Sequence, residues 1–270
     1  MQGPVIRKLP RRFVDKVWGV DQLPTPFPHP SEDRIGEVWF DPPQELPQLL
    51  VKYIFTSERL SVQAHPDDDQ AEAMGYGRAG KSECWVILDA EPGATIAVGF
   101  HREIAPEVLR EAALDGSIVE HLVWHEVEAG DAFYIPAGTV HAIGGGVSLI
   151  EVQQNSDVTF RLFDYGRPRE LHLDDGMQIA DTGPYPASLR RKIEGDAGLL
   201  VDGPHFRLFH TRGANRPAEL DHGEALVVPF SDEVLLGGQS LDCGECALVS
   251  DLAEAGFDGT GVALIAQPSR

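Results

Sequence analysis

Three polar side chains at alternate positions, Ser61, Gln63 and His65, stand among Leu60, Val62, Ala64 and Pro66. No other stretch limits the possible folds as tightly. In an extended strand alternate side chains leave the same face. All three polar groups therefore point one way while Leu60 and Val62 point the other. Pro66 ends the strand because it has no N–H to give to a ladder. Lys81 and Glu83 repeat the device at the head of the apolar run Cys84-Trp85-Val86-Ile87-Leu88. Polar groups on the inward face of a strand are costly unless they are paired or bound to something. Gln, His and Glu aimed into one cavity suggest a metal.

The rest of the chain reads as strands and turns. Residues 10–19 form an extended arm, and residues 24–30 are a Pro-rich loop. Ile35 to Phe40 alternates as a strand, and Leu49 to Phe55 is a continuous apolar run expected of a central strand. Asp67 to Met74 reads as a helix with carboxylates in its first turn. Two strands follow, from Trp85 and from Thr95, joined by the turn Pro92-Gly93. The best helix is Ala105 to Leu114, with Pro106 in its first turn. Strands from Ala132, Thr139, Val147 and Thr159 come next, and Leu173 to Ile179 makes a short helix. Beyond Pro184 lie five short strands separated by turn residues. Such spacing indicates a sandwich or barrel, and a soft boundary falls near residues 168–186.

A second motif, Gly130-Asp131-x-Phe133-x-Ile135-Pro136-x-Gly138-Thr139-x-His141, reads as a hairpin that delivers an imidazole inward. Alone, such a histidine is more often a satisfied core residue. Its coincidence with Gln63, His65 and Glu83 shifts the balance toward a site. Two imidazoles, a carboxylate and an amide oxygen suit a borderline divalent ion, and glutamine favours a catalytic over a structural centre. Glu151 and Arg161 both sit in apolar runs. They are either an ion pair that holds two strands together or parts of a site with perturbed acidity. Cys243 and Cys246 have C-x-x-C spacing but no second pair, so a redox or zinc role is not expected there.

The chain has 270 residues and a formal net charge of −21. That acidity argues against nucleic acid and anionic membrane surfaces as partners, and an anionic substrate would need a local basic pocket such as Lys81 and Arg161 could provide. No apolar leader or membrane span is evident, and three cysteines point to a reducing, cytoplasmic setting.

Taken together, the motifs resemble the type I mannose-6-phosphate isomerases, a cupin family of zinc enzymes. The resemblance rests on Ile35-Gly36-Glu37-Val38-Trp39, on residues 60–68, on Gly80-Lys81-Ser82-Glu83-Cys84-Trp85, on residues 135–143, and on Glu151 to Asp157 with Arg161. The motifs keep the family's order and cover roughly residues 10–180. The resemblance implies a mainly β, cupin jelly-roll sandwich with a few short helices. Its metal-binding catalytic domain would span 1–180, and a second, smaller, degenerate cupin-like β-domain would span 181–270. It implies one zinc per chain on Gln63, His65, Glu83 and His141, with Arg161 as a principal catalytic residue. Lys81 and Glu151 would stand in the pocket, and Ser61 near the phosphate of a hexose 6-phosphate. Oligomeric state is left open.

The expected reaction interconverts mannose 6-phosphate and fructose 6-phosphate through a cis-enediol. Glu151, Lys81 or a bound water could carry the proton. Arg161, always protonated, would do electrostatic work on the enediolate. An iron-dependent cupin dioxygenase is the first rival, and Gln63 weighs against it. A sugar-phosphate-binding module without turnover is the second.

Overall fold

The computed structural model describes residues 4–28, 30, 32–217, 219–220, 222–252 and 254–269. The molecule is a stack of antiparallel sheets. A seven-stranded sheet lies in the middle, ordered Arg190–Lys192, Asp131–Ile135, Glu83–Ala90, Val147–Gln154, Leu49–Phe55, Ile35–Phe40, Arg11–Val20. On one face lies a five-stranded sheet ordered Phe160–Phe163, Val62–Ala64, His141–Ile143, Thr95–Phe100, Leu122–Glu126. On the other lies a six-stranded sheet built mainly from residues 197–268.

Alternation along each strand assigns its side chains to these layers. Val51, Tyr53, Cys84, Val86, Ile150 and Val152 pack toward the six-stranded sheet, in one core with Leu208, Leu226, Val228 and Leu264. Ile54, Trp85, Ile87 and Leu149 pack the other way, against Ile96, Val98 and Ile143 of the five-stranded sheet. Burial on both faces is why Leu49–Phe55 reads as a continuous apolar run rather than an alternating one. The five-stranded sheet covers its outer face with helix Pro106–Asp115 and helix Leu173–Ile179, through Val62, Ala64, Ala97, Leu109, Ala112 and Ile179. A three-stranded sheet covers the far side of the six-stranded one.

Local signals behave as their chemistry dictates. Asp67 caps helix Asp68–Ala73 by accepting from the Gln70 N–H, and the Gln70 side chain accepts from the Asp67 N–H in return. Gly144 lies where a Cβ would meet the Thr95 carbonyl oxygen at 2.4 Å, so the triple glycine turns beneath a neighbouring strand. The expected N-terminal arm is instead the edge strand Arg11–Val20 of the central sheet, paired to Ile35–Phe40. Strands also cross the sequence halves. Ile6–Lys8 pairs with Ala247–Val249, and Arg190–Lys192 pairs with Asp131–Ile135. Among the described residues, no helix is long and apolar enough to cross a membrane.

Candidate active site

The site lies between the five- and seven-stranded sheets, where the inward faces carry polar residues in register. In the five-stranded sheet Gln63 is flanked by His141 on one neighbouring strand and Arg161 on the other. Facing it, one cross-strand row runs over all seven strands of the central sheet. It reads Arg190, Phe133, Trp85, Glu151, Lys52, Trp39, Arg12, each opposite the next. Glu83 sits beside this row, opposite Gln153.

His65, Glu83 and His141 are fully buried, and each offers a ligand atom within 4.8 Å of the others. Nδ1 of His65 lies 2.8 Å from the Val158 carbonyl oxygen, and Nδ1 of His141 lies 2.8 Å from that of Thr139. A carbonyl can only accept, so each Nδ1 carries the hydrogen and each Nε2 of the neutral ring presents a lone pair. These lone pairs face a carboxylate. His65 Nε2 is 3.7 Å from Glu83 Oε2, and His141 Nε2 is 3.4 Å from Oε1. Burial, reinforced by the Lys81 charge, holds His65 well below the usual imidazole range, and burial pushes His141 down to about 4. Two imidazole lone pairs and a carboxylate converging on one buried point call for a cation. The fixed Nδ1 hydrogens are the arrangement that orients metal-binding histidines.

Gln63 adjoins this cluster, its amide nitrogen 3.3 Å from His141 Nε2 and its oxygen accepting from Ser61 Oγ at 3.1 Å. Turning the amide over brings the oxygen to the cluster instead. Lys81 Nζ reaches in, 2.8 Å from Glu83 Oε2 and 3.2 Å from His65 Nε2. Neither Glu83 oxygen receives a well-directed hydrogen bond. Burial and then the Glu151 charge raise the pKa of Glu83. Burial alone would discharge Lys81, but Glu83 and Glu151 outweigh it and hold the ammonium charged. The residues present therefore fit a divalent ion.

Above the cluster opens a cavity of about 320 Å³, within the size range of small-ligand sites. Five cationic side chains, Lys16, Lys52, Lys81, Arg161 and Arg169, line it against four carboxylates. A chain of charge −21 thus keeps a locally basic pocket. Lys52 and Glu151 form a buried ion pair of 3.0 Å, and Trp85 Nε1 donates to the second Glu151 oxygen at 3.1 Å. Burial would raise Glu151, yet Lys52 and Lys81 overcome it and hold the group ionised. Lys52 Nζ also stands 4.3 Å above the Trp39 ring.

Every site residue singled out from the sequence borders this cluster or cavity, and of the two readings of Glu151 and Arg161 the ion pair does not form. The partner of Glu151 is Lys52, not Arg161. Arg161 donates Nη1 to the Glu170 carbonyl at 2.6 Å, and its backbone N–H donates to His172 Nδ1. Sequence reasoning passed over Lys52, Lys16 and Arg169. Lys52 had a signal, a lone charge in a seven-residue apolar strand, whereas Arg169 lies outside any strand and had none. Cys243 and Cys246 are free thiols away from the cavity, and Cys246 is core.

No family model matches the chain. Among curated proteins, "Mannose-6-phosphate isomerase ManA" of Bacillus subtilis (strain 168) is 42% identical over 144 residues, 51% of this chain and 45% of that protein. "Probable mannose-6-phosphate isomerase GmuF" of the same organism is 30% identical over 258 residues, 87% of this chain and 81% of the relative. "Mannose-6-phosphate isomerase" of Streptococcus mutans is 38% identical over 173 residues, 60% and 53% of the two chains. The matched stretch thus spans about half of the first and third relatives. Among solved structures, the mannose 6-phosphate isomerase of Bacillus subtilis superposes with TM-score 0.80 at 23% identity, covering 98% of this chain and 100% of that one. A mutant phosphomannose isomerase of Salmonella typhimurium gives 0.75 at 15%, with the same coverage. At these identities the likeness is one of fold.

Proposed function

Because the chain belongs to the mannose-6-phosphate isomerase family, we propose that it interconverts mannose 6-phosphate and fructose 6-phosphate at the cavity between its two inner sheets. The observation that carries this reading is the position of the lone-pair cluster His65, Glu83, His141 at the floor of a basic cavity. We assign the metal to Gln63, His65, Glu83 and His141, and its identity to zinc, one per chain. Imidazole and carboxylate are ordinary zinc ligands, and a glutamine leaves the ion with residual positive charge. Bound there, the metal supplies Lewis-acid chemistry that withdraws charge from the sugar's carbonyl and hydroxyl oxygens.

The remaining work falls to side chains. Isomerisation moves one proton between C2 and C1, so an acceptor must stand over the enediol plane and donors must meet the oxygens. Glu151 is an ionised carboxylate pinned by Lys52 and Trp85, and we assign it to accept and return that proton. Lys81, kept charged by Glu83 and Glu151, donates to the developing oxyanion. Arg161 stays protonated and presents its guanidinium to the same charge. Ser61 borders the cavity and holds the Gln63 amide, and we place it toward the substrate's phosphate side. Trp39, Ile54 and Trp85 supply apolar wall to the cavity beside these polar groups. The free cysteines fit a reducing cytoplasm, where we place the reaction. The catalytic unit in this reading is residues 1–180, and residues 181–270 back it.

The test is direct. Purified protein incubated with mannose 6-phosphate should yield fructose 6-phosphate, and a chelator should stop it until zinc is restored. Hexose phosphate binding without turnover in zinc-loaded protein would reduce the chain to a binding module.

A further inference from the structure

Beyond Arg161 the chain makes a tight turn, Asp164-Tyr165-Gly166-Arg167, closed by Arg167 N–H to the Asp164 carbonyl at 3.0 Å. Both central residues have positive φ, 53° at Tyr165 and 80° at Gly166. Glycine accepts that conformation freely, but tyrosine does not. A strained non-glycine residue persists only when its surroundings over-determine it.

The surroundings are explicit. The Asp164 side chain is 1% exposed, and its carboxylate accepts from three guanidinium nitrogens. Arg169 binds it with Nε and Nη2, both at 2.6 Å, and Arg167 with Nη1 at 3.1 Å. Arg167 also reaches Glu58 at 3.0 Å, and Glu58 holds Arg34 at 2.6 Å. The turn is thereby tied to segments on the seven-stranded side of the cavity. The rings of Phe163 and Tyr165 meet edge to face at 5.0 Å, with Arg167 5.8 Å from the Tyr165 ring.

Two guanidiniums end up on the same cavity. Arg169 lines it, with Nη1 outside the Asp164 pair, and Arg161 lines it, with a buried Nε that has no partner. Burial and then the Arg169 charge disfavour the cationic form of Arg161, so the two charges feel one another. Like charges held together, with a donor unspent, make a cradle for an anion.

We propose that Asp164 is a positioning residue whose buried carboxylate holds Arg169 against the cavity, so that Arg169, in the positive field that Arg161 adds, receives the phosphoryl group of the substrate. The proposal rests on the isomerase reading for the identity of that anion, but the cradle itself can be probed with inorganic phosphate. Asp164 touches no substrate atom and acts through Arg169.

The experiment measures inorganic phosphate affinity by calorimetry, and KM and kcat for mannose 6-phosphate, on zinc-loaded protein. Asp164→Asn should weaken phosphate binding and raise KM by roughly tenfold to a hundredfold, the worth of one charge-assisted contact, with kcat within about threefold. Arg169→Ala should match it, and the double variant should be no worse than Arg169→Ala alone, as expected for a residue acting through another. Arg169→Lys keeps the cation but cannot grip Asp164 with two nitrogens and still offer a third, so it should also lose phosphate affinity. Unchanged phosphate affinity in Asp164→Asn, additive losses in the double variant, or normal affinity in Arg169→Lys would each overturn the proposal. Should Asp164→Asn not fold, the Arg169 variants decide alone. Wild-type protein that binds phosphate through Arg169 but does not turn over the sugar sinks the isomerase reading and leaves the clamp standing.

Discussion

Lys52 and Glu151 stand opposite each other on adjacent strands of the central sheet and form an ion pair of 3.0 Å with both side chains at most 5% exposed. Removing one partner strands the other's charge in a dry interior. Lys52→Met should therefore destabilise the fold by about 3–5 kcal/mol. Glu151→Gln, which keeps the shape and the Trp85 contact, should cost less stability but abolish most turnover. The double change Lys52→Met, Glu151→Leu should recover much of the stability without recovering activity. Denaturant melts and kcat on the same preparations check this. A double variant as unstable as Lys52→Met alone would show that the pair is not what holds these strands.

The metal assignment makes a stoichiometric prediction. Purified protein should carry about one divalent ion per chain, and His141→Ala should lose most of it, since it deletes one of two imidazoles whose tautomer is fixed by a backbone carbonyl. Elemental analysis after dialysis reads the outcome. Full metal and full activity in His141→Ala would remove it from the ligand set.

Arg161 spends one nitrogen on the Glu170 carbonyl and none on Glu151, so its replacement strands no buried carboxylate. Arg161→Lys should fold, keep its metal and melt within a few degrees of wild type. It should turn over roughly a hundred- to thousandfold more slowly, the worth of about 3–4 kcal/mol in the transition state. Near-normal kcat in a stable, metal-loaded Arg161→Lys would take Arg161 off the catalytic list.

Acid should weaken the metal-free fold. The folded values of His65 and His141 lie below the unfolded value, with His141 at about 4. As pH falls below about 6.5 the unfolded chain takes up protons that the folded chain refuses, and stability drops until His141 itself titrates. Glu83, raised by burial, acts in the opposite sense and offsets one imidazole. Glu151, held low by Lys52 and Lys81 despite burial, adds to the loss below the ordinary carboxylate range. Tm of chelated protein should thus fall steadily from pH 6.5 to pH 4, and metal should steepen the fall because protons compete with it for the same nitrogens. A Tm that is flat or rising across that interval would contradict the sign.

Parity carried most of what the sequence could reveal. Ser61, Gln63 and His65 alternate, as do Lys81 and Glu83, and each set reaches the same inner face. The cluster of His65, Glu83 and His141 was legible because histidine and carboxylate in apolar strands are expensive unless used. What alternation cannot give is which strand lies opposite which. Glu151 and Arg161 looked like natural partners, yet Val147–Gln154 lies beside Leu49–Phe55 in one sheet while Phe160–Phe163 belongs to the other. That pairing hands Glu151 to Lys52. Arg169 sits outside any strand, where no period marks a facing residue.

The row from Arg190 through Phe133, Trp85, Glu151, Lys52 and Trp39 to Arg12 also bears on how the chain finds its fold. A slip of one residue in any of these strands would turn its whole set of side chains over. Lys52 or Glu151 would then enter the apolar layer that holds Tyr53, Val86 and Leu264, while Tyr53 or Ile150 would fill the cavity. The charged residues of this row thus act as a register gauge, penalising each mispaired intermediate before the sheets close on one another. A chain relieved of those charges would gain in local stability what it lost in the certainty of assembling one sheet order.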